Sequence, residues 1–590
     1  LGYLKKYVKK YYKLFLAAIA FLTVEAMCDI FQPTLMSKIV DVGIQSRNMH
    51  YVLTMGGVML MVTGIGAIGA VGRNNISCRV SQRFGTQLRG DLFKKVQNFS
   101  YENTGKFETA SLVTRLTNDV TQMQNFVNGQ MRMFAKAPIT FIGSIVMAVI
   151  LDPKLSIIIV IVIPVIVLVI FINTHVAFPF FKRVQRAIDR LNAVMREYLS
   201  GVRVVKAFNR ADYEEGRFDI SNEGLSEVQI AAMRVNAVFS PMTTTAINLG
   251  IVAVLWFGSF YVNTGTLEVG KVIAFINYMT QMSTSIVTIS MVFTMFIRAR
   301  TSAGRIGEVM NVEDRPSVIP ESELKDIAPE AEGAGKTGVK AGIEFRDVSF
   351  SYSGNLDEPA LENISFSCVP GTTMGIIGTT GSGKTSIVNL IVRFYETTRG
   401  AVLVDGKDVR TIDEHVLRDR IAMVPQKSTL FSGSILDNIR WGNSDADAEE
   451  VEKAARIAQA HGFISDMPEG YSTMLGQGGV NLSGGQKQRI SIARALVKNP
   501  HILILDDCTS AVDVISEAKI RHGLEEYSKD LICIMVAQRI SSVMEADRIL
   551  VLDDGHVAGM GSHDELMAGC RIYQEIYESQ LGKGVPEWQK

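Results

Sequence analysis

The chain has 590 residues, and at roughly 150 residues per domain that length suggests about four domains. The distribution of apolar residues overrides the count, because most of them fall in the first half. Lys plus Arg equal Asp plus Glu at 60 each, so the charge balance gives no sign of a nucleic-acid partner, and none is expected. Six cysteines, Cys28, Cys78, Cys368, Cys508, Cys533 and Cys570, are scattered without metal-ligand spacing. That usage fits a reducing compartment and predicts no disulfide.

In the first 13 residues, Leu4, Tyr7, Val8 and Tyr11 recur at helical spacing, with Lys6, Lys9, Lys10 and Lys13 largely on the other side. The pattern predicts an amphipathic helix along a membrane surface, its lysines toward anionic headgroups. A signal peptide is the weaker reading, since several further spans follow and no small-residue cleavage site is present.

Six segments are long and apolar enough to cross about 30 Å of hydrocarbon as helices. They lie near Leu14 to Leu35, Val52 to Val71, Ile139 to Leu151 with an extension from Met131, Leu155 to Ile172, Val238 to Tyr261, and Val272 to Phe296. Arg132 and Lys136 stand near the start of the third span and either snorkel to the interface or line a wet cavity. The third and fourth spans are separated only by Asp152, Pro153 and Lys154, whereas about 60 residues follow the second span and about 60 the fourth. The long connections are rich in Lys and Arg, which assigns them, the N-terminus and the C-terminal half to the cytoplasm. They suit helices that run about 25 residues beyond the membrane, nearly 40 Å, before turning back. The turning points are expected near Phe107 to Thr114 and Ala211 to Glu215.

Glu25 and Asp29 stand four apart in the first span and share a helix face. Their reading is either a cavity-facing pair that handles cationic amphipathic cargo, or carboxylates at a water interface or paired with a neighbouring helix. Asn277 and Gln281 form a similar polar pair in the last span. Met279, Met282, Met291 and Met295 offer an adaptable apolar surface or plain packing.

Arg298 to Gly342 breaks the composition, with Pro316, Pro320 and Pro329 and a run AEGAGKTGVK at Ala331 to Lys340. It reads as a linker. The Gly335 to Thr337 sequence within it lacks the strand and upstream glycine of a phosphate loop. From Ile343 short strands alternate with helices. Met374 to Ile377 reads as a strand and Ser386 to Val392 as a helix, and between them stand Gly378, Thr379, Thr380, Gly381, Ser382, Gly383, Lys384 and Thr385. This is a P-loop in its required context. Glycines let backbone N–H groups close on phosphates, Lys384 adds a full charge, and the Thr385 hydroxyl suits Mg²⁺. His501 to Leu505 is a buried-strand run ending in Asp506, an acidic residue where Mg²⁺ would be held. Ser483, with Gly484 and Gly485 after it, opens a helix whose bare N-terminal amides attract phosphate, and this end serves a nucleotide bound elsewhere.

The chain resembles an ABC transporter of the exporter type along nearly its whole length. In the family's order stand Tyr352 as the adenine-stacking aromatic, Walker A at Gly378 to Thr385, and Gln426 of the Q-loop. After them come the signature Leu482, Ser483, Gly484, Gly485 and Gln486, Walker B ending at Asp506, and the D-loop Ser510, Ala511, Val512 and Asp513. The resemblance implies ATP and Mg²⁺, the latter on Thr385, Gln426 and Asp506. It also implies head-to-tail pairing in which each ATP lies between one P-loop and the other domain's signature. The fold expected is an all-α six-helix transmembrane domain with long cytoplasmic extensions at 1–303, a linker at 304–341, and an α/β P-loop nucleotide-binding domain at 342–590.

Two positions depart from the family's catalytic pattern. Asp507 stands where Glu activates water, and Gln538 where the switch residue is usually His. Asp is one methylene shorter, and Gln cannot carry a proton near neutrality. General-base assistance is worth about 10²- to 10⁴-fold, so hydrolysis should suffer far more than binding. Gln477, before the signature, replaces a Glu common in such exporters. The chain thus resembles the degenerate-site half of a heterodimeric exporter. Its signature would complete a site on a second half-transporter that carries the Glu and the His. A lipid bilayer and a small amphipathic substrate are the other partners expected. A homodimer using Asp507 as a slow base and a nucleotide-gated channel are the rival readings.

Overall fold

A computed structural model describes residues 2–313, 318–319, 342–355, 357–527 and 530–582, with the side chains of residues 174 and 240 also left out. The chain separates into two compact units, one of residues 1–98 and 107–312, the other of residues 99–106 and 313–590. Most of the predicted linker, including its three prolines and the run at 331–340, lies outside the described residues.

The first unit is helical. Its elements are α1 (Lys5–Lys38) and α2 (Met49–Gln97), then, after the short α3 (Tyr101–Gly105) of the other unit, α4 (Thr109–Leu151), α5 (Ser156–Ala207), α6 (Ala211–Asn263) and α7 (Val269–Met310). Among the described residues six helices are long and apolar enough to cross a membrane. The 49 residues of α2 make about 74 Å of helix, more than twice the hydrocarbon thickness. α4 is interrupted by π-type turns at Arg115–Asp119 and Gln130–Phe134. α5 and α6 pack chiefly on each other, and α1, α2, α4 and α7 pack together.

Gly69 shows how α1 and α2 come so close. A Cβ there would lie 3.0 Å from the Phe21 carbonyl oxygen and 3.4 Å from the Glu25 nitrogen. Absence of a side chain lets the backbones meet, and one turn later Arg73 reaches Glu25.

Three expectations are corrected here. The first 13 residues form no separate surface helix but the start of α1, which is continuous from Lys5. The Tyr7 hydroxyl donates to Asp91 at 2.5 Å, Lys6 pairs with Asp91 at 2.8 Å, and Lys10 donates to Gln87 at 2.8 Å. Tyr7 is buried edge-on against Phe84. Of the apolar residues in this segment, Tyr7 is covered by α2, Leu4 and Tyr11 are half-buried, and Val8 stays exposed. The first turning point falls at residues 98–108, ahead of the predicted one, because Ser100 caps α3 by accepting from the Asn103 N–H. The second falls at residues 208–210, with Asn209 at φ +51°. Finally, α7 runs past the predicted linker start at 304 and ends at Met310.

The second unit is built on a six-stranded sheet. Its strands are β3 (Thr373–Gly378), β5 (Ile421–Val424), β6 (Ile502–Asp506), β7 (Ile532–Val536), β8 (Arg548–Asp553) and β9 (His556–Gly561), in spatial order β9-β8-β3-β7-β6-β5. All neighbours pair in parallel except β8 with β9. β1 (Ile343–Phe350), β2 (Leu361–Cys368) and β4 (Arg399–Val404) form a smaller antiparallel sheet. Successive strand residues face opposite sides, as the pleat requires. Thus Ile376, Ile502 and Ile504 join the core under β1 and β2, while Ile377, Leu503 and Leu505 join the core under the helices on the other face. β7 separates β3 from β6, with Val536 paired to both Ile376 and Asp506. This register brings the ends of β3, β6 and β7 together at one edge.

Candidate functional site: a phosphate loop, a clasped carboxylate and a polar membrane cavity

β3 ends at Gly378, and α8 (Lys384–Ile391) begins directly after the loop. Gly383 sits at φ +94°, where a Cβ would lie 2.5 Å from Leu361 Cδ2 and 2.8 Å from the Ala360 carbonyl oxygen. Only glycine fits that position. The N-terminus of α8 has no side-chain cap, so its amides are free for an anion. Ser382 is buried, Thr379 donates weakly to Asp553, and Thr380 is exposed. Lys384 Nζ donates to the carbonyls of Gly378 and Thr379 at 2.9 and 2.7 Å. Burial lowers its pKa, with Asp507 and Asp506 pulling the other way. A third, longer bond runs to the Ser382 hydroxyl at 3.4 Å, so all these partners of the ammonium are neutral and its charge suits a phosphate.

Asp506 ends β6 and is almost fully buried. Burial, then the neighbouring Asp507, pushes its carboxyl above the usual range, while Lys384 and a hydrogen bond from Thr385 oppose the rise. A buried carboxylate beside the Thr385 hydroxyl is a hard-oxygen donor set suited to Mg²⁺. Thr385 and Asp506 would hold that ion, which would neutralise phosphate charge.

Asp507 has φ +47°, a left-handed conformation that Asp tolerates better than longer side chains. Its N–H donates to Val536 O at 2.9 Å. Gln426 Nε2 and Gln538 Nε2 both donate to its Oδ2, at 2.9 and 2.8 Å. Two neutral amides, one from the Q-loop and one from the switch position, therefore clasp a single carboxylate oxygen. Gln538 is braced in turn, since Gln580 Nε2 donates to its carbonyl at 2.7 Å and Gln580 Oε1 accepts from the Ile540 N–H at 2.8 Å. Tyr352 is 53% exposed. Its hydroxyl shares a 2.8 Å hydrogen bond with Ser386, and its ring stands edge-on to Phe350 and Tyr395.

The signature segment opens α9 (Gly484–Leu496). Leu482 is buried, and Ser483 and Gln486 cap each other's backbone N–H groups. Among the described residues no hydrogen bond joins Leu482–Gln486 to Gly378–Thr385. Its neighbours are in the D-loop. A Cβ on Gly485 would lie 2.7 Å from the Ala511 carbonyl oxygen, and Gln488 Oε1 accepts from the Ala511 N–H at 3.0 Å. Gln488 Nε2 donates to Ser510 Oγ at 3.4 Å, and Ser510 Oγ donates to the Asp507 carbonyl at 3.1 Å. Val512 is buried, and Asp513 accepts from the Ser516 N–H at the start of the helix Val514–Tyr527. Gln477 is exposed in a short 3₁₀ turn.

In the helical unit, Arg73 Nε donates to Glu25 Oε2 at 2.7 Å, and Lys136 Nζ bonds Glu25 Oε1 at 2.6 Å and Asp29 Oδ2 at 2.8 Å. A polar cavity of about 370 Å³ adjoins this network, lined in part by Asp29, Arg73, Arg132, Lys136 and Gln281. Gln281 bridges α4 and α1, accepting from Ser144 and donating to the Asp29 carbonyl. Glu25 and Asp29 stay together on Lys136, paired with neighbouring helices as one of the two readings expected, whereas Asn277 and Gln281 part. Glu25 is buried against its cations, and Asn277, exposed, donates to Ile273 O of its own helix. Met279 and Met282 are core residues packed with Phe275 and Tyr278, whereas Met291 is exposed.

Comparison with known proteins agrees with this architecture. Residues 15–286 match the ABC transporter transmembrane region and residues 361–510 the ABC transporter family. An ABC transporter ATP-binding protein of Bacillus subtilis, YfiB, is 38% identical over 577 residues, 98% of either chain. The chain belongs to the ABC transporter family. A further relative of this ABC transporter is the ATP-dependent lipid A-core flippase of Syntrophus aciditrophicus, 32% identical over 85% of this chain and 81% of that one. The structure of a bacterial Atm1-family ABC exporter with ATP bound matches with a TM-score of 0.78 and 24% identity, covering 98% of this chain and 99% of the other. Its likeness shows that the fold is that of an ABC exporter.

Within this ABC transporter the structure gathers Lys384, Thr385, Gln426, Asp506, Asp507 and Gln538 at one edge of the sheet, and the signature with the D-loop in another group. Gln488 and Gln580 escaped sequence reasoning, since an isolated glutamine carries no motif. Arg73 escaped it because it stands just beyond a span, where a cation is ordinary.

Proposed function

We propose that the chain is one subunit of an ATP-driven heterodimeric exporter whose own P-loop site binds MgATP and cleaves it slowly. The observation that carries this reading is the clasp on Asp507. A general base must bring a carboxylate oxygen to the attacking water, and here the acid is one methylene short and is held in one direction by Gln426 and Gln538 on its Oδ2, which limits its reach. Neither amide can relay a proton. Binding groups are complete, with Lys384 for the phosphates, Thr385, Gln426 and Asp506 for Mg²⁺, and the exposed Tyr352 ring for the adenine. The start of α9, with Leu482 to Gln486 and the two glycine amides behind the Ser483 cap, would cover the nucleotide of a second half-transporter that carries Glu and His.

Binding of two nucleotides clamps the nucleotide-binding domains, and the clamp turns the membrane cavity from inward- to outward-facing. Moving such an equilibrium from 1:99 to 99:1 needs about 5.5 kcal/mol of differential affinity. Hydrolysis at the partner's site resets it. The Lys- and Arg-rich connections support a cytoplasmic nucleotide unit in a multi-pass membrane protein. The likeness to a protein named as a lipid A-core flippase supports an amphipathic cargo.

The test is the purified chain alone, with MgATP affinity and turnover measured in parallel. Tight binding with turnover that Asp507→Asn leaves unchanged is the expected result. Brisk turnover that Asp507→Asn abolishes would overturn the reading and assign a homodimer with Asp507 as its base.

A further inference from the structure

The membrane cavity carries more positive than negative charge. Arg73, Arg132 and Lys136 line it with Asp29, and Glu25 lies buried against Arg73 and Lys136. Three cations against two carboxylates leave one positive charge in excess. Both carboxylates are already engaged, so neither is free for a cationic guest. Arg132 has no side-chain partner among the described residues. Its carbonyl, however, accepts from Arg73 Nη1 at 3.1 Å, which fixes its backbone in the cavity wall. The π-type turn Gln130–Phe134 contains it, and such turns re-aim side chains out of regular register. Lys136, four residues on, has two hydrogens on Glu25 and Asp29, leaving a third.

Arg132 is exposed on the cavity wall at the start of its span, where a guanidinium without a carboxylate partner is served by water or by an anionic ligand. Apolar surface lies beyond the cavity on one of the helices that line it. Along α7 the positions Gln281, Thr284, Thr288, Met291 and Met295 recur at intervals of three and four, each exposed or half-buried. Met133 lines the cavity itself. Polar groups thus give way to thioethers along one helix face, a surface on which an alkyl chain can lie.

We infer that this cavity takes an anion carried on an apolar chain, a carboxylate or phosphate amphiphile, with Arg132 and Lys136 as its counter-charges. The inference rests on the export reading above and names the class of its cargo.

The test uses the full chain in phosphatidylcholine nanodiscs without nucleotide, titrated with a dansyl-labelled undecanoic acid and with the same fluorophore and chain ending in trimethylammonium. The acid is expected to bind about tenfold more tightly than the ammonium, the worth of one partly desolvated ion pair. Arg132→Gln should remove that preference and Arg132→Lys retain it, with MgATP affinity unchanged in both as the check on folding. Acetate and inorganic phosphate should not displace the acid, since the chain supplies part of the affinity. Equal binding of the two probes, an unchanged preference in Arg132→Gln, or full displacement by inorganic phosphate would each overturn the inference. Because the readout needs no hydrolysis, rapid turnover by the isolated chain would sink the degenerate-site reading and leave this result intact.

Discussion

Two pairs of neighbouring carboxylates do opposite work in this molecule. Glu25 and Asp29, in α1, face Arg73 and Lys136 and end in short ion pairs. Asp506 and Asp507, at the end of β6, face one lysine and two amides. Full cations neutralise a carboxylate and turn it into a tie between helices. Neutral amides orient Asp507 without cancelling charge, while burial and the adjacent Asp507 raise the Asp506 carboxyl against the pull of Lys384, a strain that a metal would relieve. Counting acidic residues does not separate the two cases, whereas the formal charge of their partners does.

The widest separation should come from restoring the family's chemistry on the second pair. Asp507→Glu with Gln538→His is expected to raise ATP turnover by the chain alone by about 10²- to 10⁴-fold, measured as phosphate release. Unchanged turnover would mean that these two side chains do not set the rate. On the first pair, Glu25→Ala strands the Arg73 guanidinium, and the loss should be about 3–5 kcal/mol of stability, read from unfolding in detergent. Adding Arg73→Met should recover much of it, and failure to do so would show that the pair is no tie.

The strain on Asp506 makes a smaller and signed prediction. Its carboxyl is raised by burial, so the folded state holds the proton more tightly than the unfolded chain. The stability this contributes is present below the ordinary carboxylate pKa and is lost as pH rises through the raised one. In EDTA at neutral pH, Asp506→Asn should therefore raise the unfolding temperature, and its pH profile across that window should be flatter than that of the parent. The smallest effect belongs to Gln538→Ala. Gln426 still bonds Asp507, so MgATP affinity should move by less than about threefold, within the worth of one hydrogen bond. A larger loss in equilibrium binding would mean that Gln538 touches the nucleotide directly.

What could be read ahead of the structure follows the same division. The phosphate loop is legible because backbone geometry dictates its glycines, as Gly383 shows, and because strand and helix must flank it. The six spans are legible because hydrocarbon imposes length and composition. The partners of Glu25 are not, since Arg73 and Lys136 come from other helices, 48 and 111 residues away. The N-terminal lysines misled for a related reason: amphipathic spacing reports that a face is covered, and lipid and protein leave the same pattern. The clasp on Asp507 joins residues 81 and 31 apart in sequence, so the motifs identified its members while their contact stayed hidden.

The fastening of Gly485 and Gln488 onto Ala511 and Ser510, with Ser510 anchored on Asp507, makes the strand end and the helix start behave as a single rocker. A tilt imposed at one arm is expected to reach the other through these bonds. Substitutions at Asp507 are therefore expected to be felt at the cap formed by Ser483 and Gln486, an influence that runs inside one domain from its nucleotide edge to its signature.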